Sequence, residues 1–445
     1  MHEETTTLTA GVRVRLSLMM FLQFFIWGAW LPLIFGYLPS LGFTPIQQSW
    51  ILNAFPIAAI VGMFFSNEFA DRNFAAERVL AFSHLVGGLA ILSLAWTRSY
   101  WPFFLLMLLH CLLYVPTLSI TNSIAFASLK DPQREFGRVR LWGTIGWIAA
   151  AWPFTFILVD WAKVSAAKPQ GFVNWIGTVL GSGLTGDPLK EATAWTYIVA
   201  GVASLTLAAL SLALPHTPPK KAEHTENKLA WLEACRLLKH PFVLVLWLVA
   251  LMDAFVHNSY FNWTGSFLGA SIEAGGVGIP GNWIMPVMSV GQIAEILTMV
   301  IIGATLKRLG WRWTMVIGVL GHAARFAVYA FFPQQAWMII VVQILHGICY
   351  AFFFATVYIF VDEFFPKDAR SSAQGLFNVM ILGMGALTAN SICPYLMQKV
   401  FTQGGITNFR SLFLVPMAVA LAAAIFLALA FRPPHHQTAE PPERQ

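Results

Sequence analysis

WIMPVMSVGQIAEILTMVIIGAT, residues 283–305, is long and apolar enough to cross a membrane, yet Gln292 and Glu295 lie inside it. An apolar helix of about 20 residues spans a hydrocarbon layer of roughly 30 Å. A carboxylate at that depth is costly unless it faces a cavity, a partner or a substrate. Glu295 sits about 13 residues from the start of the run, and Gln292 precedes it by three, so both share one helical face. The stretch reads as a membrane helix with a polar inner face.

The rest of the chain reads the same way. It is 57% hydrophobic and 11% charged, with mean hydropathy +0.66, which excludes a set of soluble domains. Apolar stretches recur at 16–38, 46–66, 79–97, 101–127, 140–159, 192–214, 241–268, 283–305, 313–332, 335–361, 373–397 and 409–431. These twelve spans predict an all-α membrane protein. The first follows Arg13 and Arg15 but is too long for a signal-peptide core, so it is expected to be an uncleaved anchor.

The net charge of +6 does not point to nucleic acid, because the basic residues scatter among short loops. Sorted by loop parity, 20 of the 27 Lys and Arg fall on the side of the N-terminus, which puts both termini in the cytoplasm. Cys111, Cys235, Cys349 and Cys393 have no metal-type spacing, and no cofactor or metal is implied.

The largest break in composition is 215–240, which opens Pro215-His216-Thr217-Pro218-Pro219-Lys220-Lys221 after the sixth span. It reads as a cytoplasmic linker between a six-helix half at 1–214 and another at 241–432, with a disordered tail at 433–445. Asp71-Arg72 with Arg78, after span two, parallels Lys307-Arg308 with Gly310 and Arg312, after span eight. These are degenerate forms of the charged loops that major facilitator transporters carry at both places, and two parallel halves around a central site are that plan. The external segment 160–191, with Trp161, Phe172, Trp175, Gly181 and Gly183, suits a short interfacial helix or a partial lid.

Arg140, Thr144 and Trp147 are spaced i, i+4 and i+7 and project from one face of span five. A guanidinium, a hydroxyl and an indole suit a ligand with hydrogen-bonding groups and a flat ring; the plainer alternative is an interfacial anchor. Glu295 suits ribose-like hydroxyls or a proton, the alternative being a structural ion pair with Arg325 or Arg140. Span seven carries a polar stripe of Asp253, His257, Asn258 and Asn262, which suits either a substrate path or interhelical hydrogen bonding. On span ten, His346 and Tyr350 share a face, and Gln343 lies nearby. Asp253, His257, His346 and Glu295 are the candidate proton carriers, whereas His110 and His322 read as packing residues. The chain has no G-x-x-x-x-G-K-[ST], H-E-x-x-H or G-x-S-x-G motif, so nothing marks it as an ATP-driven pump or an enzyme.

These residues resemble the nucleoside:proton symporters of the major facilitator superfamily over nearly the whole chain. The resemblance rests on Phe21-Leu22-Gln23-Phe24, Trp27-Gly28-Ala29-Trp30, Tyr114-Val115-Pro116-Thr117-Leu118 with Asn122, and Arg140-Leu141-Trp142-Gly143-Thr144-Ile145-Gly146. It continues through Leu214-Pro215-His216-Thr217-Pro218, Gln292-Ile293-Ala294-Glu295, Arg325-Phe326 and Arg370-Ser371-Ser372-Ala373-Gln374-Gly375. It implies that Arg140, Thr144, Gln292 and Glu295 hold the nucleoside, with Trp147 and Tyr350 as aromatic neighbours and the polar pair of span seven near Asn258 and Asn262. It also implies an aspartate for proton coupling after an aromatic residue on span ten. Here that pair is Tyr350-Ala351, and a methyl group binds no proton. The expectation is a monomeric nucleoside transporter of a bacterial inner membrane, working by alternating access in the lipid bilayer, with protons as the candidate co-substrate. A facilitator for another polar solute such as a sugar or drug, an uncoupled nucleoside uniporter and a transport-inactive receptor stay open as alternatives.

Overall fold

A computed structural model describes residues 10–62, 74–129, 132–219, 236–364 and 375–433. In lipid every backbone polar group must be satisfied within the chain, which selects helices. The described residues accordingly form an all-α bundle, the one sheet among them a hairpin of two-residue strands at Thr402–Gln403 and Ile406–Thr407.

Among the described residues, nine helices are long and apolar enough to cross a membrane. One of them, Gly281–Phe331, holds both expected spans eight and nine and breaks at Gly310, whose φ of 70° is left-handed. Span one is Ala10–Ser40, span three Ala76–Ser93, span four Tyr100–Ser128, span six Trp195–Ser211 and span seven Pro241–Gly269. Span ten runs from Ala336 to Phe364, span eleven from Gly375 to Val400 and span twelve from Phe409 to Ala430.

Three expected spans are interrupted, span ten at Val342-Gln343 between Ala336–Val341 and Ile344–Cys349. Span two is Pro45–Leu52 and Ala54–Val61, meeting at Asn53. Pro56 has no N–H to give the Leu52 carbonyl, four residues back. Asn390 of span eleven donates to that carbonyl instead, at 3.0 Å. Span five starts earlier than expected, as Pro132–Ala151, and resumes as Phe154–Ile157 after Pro153. The end of span two at 63–66, the loop at Asp71-Arg72, Lys130, the linker core 220–235, the Arg370–Gln374 motif and the tail 434–445 lie outside the described residues.

The segment that follows span five holds three short helices, Trp161–Ala167, Gly171–Gly181 and Gly186–Thr193. It is fastened to the start of span eight. Trp283 Nε1 donates to the Leu180 carbonyl at 2.7 Å, and Asn282 Nδ2 donates to the Thr155 carbonyl at 3.2 Å. At the same end of the bundle, Gln398 Nε2 donates to Gln48 Oε1 at 2.7 Å and Asn53 Nδ2 to Ser391 Oγ at 2.9 Å, joining spans two and eleven. Side-chain bonds thus tie span two to span eleven and the 160–191 segment to span eight at one end of the bundle.

The first six spans share a buried polar knot. Gln23 Nε2 donates to Thr117 Oγ1 at 2.8 Å, and His84 Nε2 lies 2.9 Å from Gln23 Oε1. His84 Nδ1 meets Ser204 Oγ at 3.0 Å, and Tyr114 donates its hydroxyl to the Gln23 carbonyl. Spans one, three, four and six are thereby linked through one amide. Gln23→Leu leaves His84 Nε2 without its partner inside the bundle and is expected to cost about 1–3 kcal/mol. A lowered thermal midpoint in detergent, against an unchanged midpoint for Thr206→Ala on the exposed face of span six, checks this.

Candidate functional site

The site grows from two close helix contacts. Span five packs on span one because Gly146 leaves no side chain where the Phe21 carbonyl passes. That approach lays the Arg140 guanidinium over the Phe24 ring, 4.0 Å from its centroid, and sets the Trp147 and Trp27 rings edge to face at 5.1 Å. Trp27 stacks in turn on Phe55 at 4.6 Å, so spans one, two and five share an aromatic wall. Span ten packs on span eight because Gly347 lies against the backbone of Glu295, and Gly291 likewise faces His346.

Arg140 of span five and Glu295 of span eight lie within electrostatic reach of each other, and Tyr350 of span ten lies within reach of both. All three are half-buried, as are Thr144, Trp147, His257 and Asn258. Gln292 is buried, and its Oε1 has no hydrogen-bond partner. Among the described residues, neither the Arg140 guanidinium nor the Glu295 carboxylate makes a hydrogen bond or a close ion pair. The cavities of about 520 Å³ beside Phe401, Phe409 and Arg410 and about 560 Å³ beside Phe25, Ile157 and Trp195 contain none of these groups. The arrangement is two opposite charges, an amide, a phenol and an aromatic wall inside a membrane bundle. It can bind a neutral solute rich in hydroxyls and ring edges; it has no nucleophile paired with a base.

The span-seven asparagines divide differently. Asn258 Nδ2 donates to the Ala254 carbonyl of its own helix at 2.8 Å. Asn262 Nδ2 donates to Asn390 Oδ1 at 2.9 Å, so Asn262 forms an interhelical bond to span eleven.

One alternative falls away and one expectation needs correction. Arg325 does not pair with Glu295. Its Nη1 meets His346 Nδ1 at 2.8 Å and its Nη2 meets His322 Nδ1 at 2.9 Å, with its guanidinium 4.1 Å from the Tyr260 ring centroid. His322 is not a packing residue, because its Nε2 lies 3.6 Å from Asp253 Oδ2. Asp253, His322, Arg325 and His346 therefore form one fully enclosed polar chain, and the His257 ring stacks on His346 at 4.9 Å. The signal for this cluster was present: an arginine inside a span is a functional candidate by default, and His322 precedes Arg325 by three on the same face. Phe24 and Tyr114 were also missed as neighbours of Arg140, and Trp27 as a neighbour of Trp147. Only the fold brings span one and span four beside span five.

A helical bundle with a polar centre fed by spans five, eight and ten defines a secondary transporter of the major facilitator type. The chain belongs to the nucleoside H+ symporter family, whose sequence profile matches residues 10–185 and 170–436. YegT of Escherichia coli (strain K12) is 31% identical over 394 residues, covering 87% of this chain and 85% of that protein. Xanthosine permease of the same organism is 27% identical, covering 96% and 97%. The crystal structure of the nucleoside transporter NupG superposes with a TM-score of 0.77 at 24% identity, covering 95% of this chain and 99% of that one, and this likeness speaks to the fold. The chain is a multi-pass membrane transporter of a small molecule and not an enzyme.

Proposed function

We propose that this protein carries nucleosides across a bacterial inner membrane by alternating access, taking them up through a site at Arg140, Thr144, Gln292 and Glu295. The observation that carries this reading is the pair Arg140 and Glu295: opposite charges from the two sets of six spans, within reach, half-buried and without hydrogen-bond partners. Keeping such charges inside a membrane is costly unless a ligand completes them. Glu295 and Gln292 accept and donate to ribose hydroxyls, Arg140 and Thr144 address base edges, and Trp147 and Tyr350 offer faces for the base. Asn258 borders this group and Asn262 braces it. The names borne by xanthosine permease and the nucleoside permease NupG agree with this substrate class.

The two halves, 1–214 and 241–432, move about this site, joined by the 215–240 linker, with both termini in the cytoplasm. The bonds at Gln48, Asn53, Asn282 and Trp283 close the outer end and must break for the site to open outward. The protein works as a monomer in the bilayer. Proton drive accords with the family, and Glu295, His346, Asp253 and His257 are the titratable groups available for it.

The test is uptake of labelled uridine and adenosine into liposomes holding the purified protein. Saturable uptake, competed by unlabelled nucleosides and untouched by sugars, is the expected result. Uptake competed by a sugar and not by nucleosides would replace the substrate class.

A further inference from the structure

The chain Asp253–His322–Arg325–His346 has a hydrogen-bond logic that fixes where its protons can sit. Arginine only donates. Arg325 reaches the Nδ1 atoms of both His322 and His346, at 2.9 and 2.8 Å, so both nitrogens must accept. Each imidazole is therefore neutral in this arrangement, with its hydrogen on Nε2. For His322 that hydrogen faces Asp253 Oδ2, 3.6 Å from Nε2, just beyond hydrogen-bond distance. The carboxylate itself has no hydrogen-bond partner on either oxygen, and the Asp253, His322 and Arg325 side chains have no exposure to solvent. One negative and one positive charge are thus held apart by a neutral imidazole in the interior of the C-terminal helices.

The other titratable groups around this chain are uncharged or weak acids. His257, one turn along from Asp253, stacks on His346; Cys349 of span ten faces His322; Tyr260 lies under Arg325, and Tyr329 is within its reach. Among the described residues no second carboxylate faces Arg325. A proton added to Asp253 therefore changes the cluster from neutral to a net positive charge with nothing to offset it. At this depth such a change is large compared with the few kcal/mol that separate transporter states.

The cluster also touches the substrate site. His346 precedes Gly347, which abuts the Glu295 backbone, and the His257 and Tyr350 rings are 6.3 Å apart. Tyr350 begins a π-helical stretch, Tyr350–Ala355, a wider turn that can change register at low cost and often marks a functional site.

We propose that Asp253 is the proton-binding residue of this transporter, with His322 as its relay and Arg325 as the group that conveys the charge change through His346 to span eight. This assignment rests on the nucleoside-transport reading above. The proton adds to a lone pair of the Asp253 carboxylate on one side of the membrane, giving the neutral acid, and leaves from the same oxygen on the other side. No other bond forms or breaks. With Asp253 neutral, Arg325 loses its counter-charge and the His322 Nε2 hydrogen no longer faces an anion, so the contacts of spans seven, nine and ten are set by the proton.

The experiment compares two modes in liposomes containing the full-length protein: exchange of labelled for unlabelled uridine without a gradient, and accumulation driven by an inward gradient of about one pH unit. One proton per nucleoside supports up to about tenfold accumulation there. The wild type is expected to show both modes. Asp253→Asn is expected to keep exchange while its accumulation ratio falls to that of the gradient-free control. His322→Gln, which keeps the carboxylate but removes the imidazole between it and Arg325, is expected to lose accumulation in the same way, and it decides the matter where Asp253→Asn does not insert. Undiminished accumulation in either variant would overturn the assignment. So would loss of exchange in folded Asp253→Asn, or a wild type that exchanges uridine but ignores the gradient. A wild type without nucleoside exchange would instead sink the substrate reading on which the assignment stands.

Discussion

Arg140→Ala and Glu295→Gln are each expected to abolish nucleoside uptake while the protein remains folded and inserted. Each leaves its opposite number less compensated inside the membrane. In a binding site, truncating one of two buried charges costs about 2–5 kcal/mol of affinity, which corresponds to a loss of roughly thirtyfold or more in binding. The two losses should differ in kind. Arg140→Ala also uncovers the Phe24 ring over which the guanidinium lies, whereas Glu295→Gln is nearly isosteric and removes only charge and acceptor strength. Glu295→Gln should therefore leave the thermal midpoint in detergent close to wild type. Normal uptake by both variants, at matched membrane abundance, would remove these residues from the site.

The second large effect is expected from a single methyl group. Gly347→Ala places a Cβ where the Glu295 amide nitrogen lies, and the neighbouring Ala294 carbonyl carbon and Glu295 Cα are 2.5 and 2.7 Å from that same position. These are backbone atoms, so no side-chain rotation relieves the overlap, and spans eight and ten must separate. Overpacking of this kind costs about 1–3 kcal/mol. More important for transport, it displaces Glu295 from Arg140 and His346 from Arg325 together. Uptake should fall at least tenfold and the thermal midpoint should drop. Gly303→Ala, on span eight with open space around it, should change neither. Equal behaviour of the two variants would show that the close approach at Gly347 does not position the site.

Much of this was legible in the sequence because lipid imposes simple rules. Apolar length located the helices, and Glu295 in residues 283–305 was conspicuous because charge there is expensive. Helical spacing put Arg140, Thr144 and Trp147 on one face of span five. Sequence spacing fails where a contact joins distant segments. Nothing local says that Phe24 lies under Arg140, or that Gly347 delivers His346 to Arg325 while its own backbone holds Glu295. His322 was read as packing because its neighbours come from spans seven and ten. The break in span two follows from Pro56, but the use of the freed Leu52 carbonyl by Asn390 needs the tertiary fold. Asn262 stayed open in the sequence between substrate path and interhelical bonding, and its bond to Asn390 of span eleven becomes visible only in the tertiary fold.

A structure of the full-length protein with uridine or adenosine bound tests the central claim most directly. The account predicts the nucleoside between spans five and eight, its ribose hydroxyls on Glu295 and Gln292 and its base within hydrogen-bonding distance of Arg140. A nucleoside bound elsewhere, with Arg140 and Glu295 untouched, would contradict it.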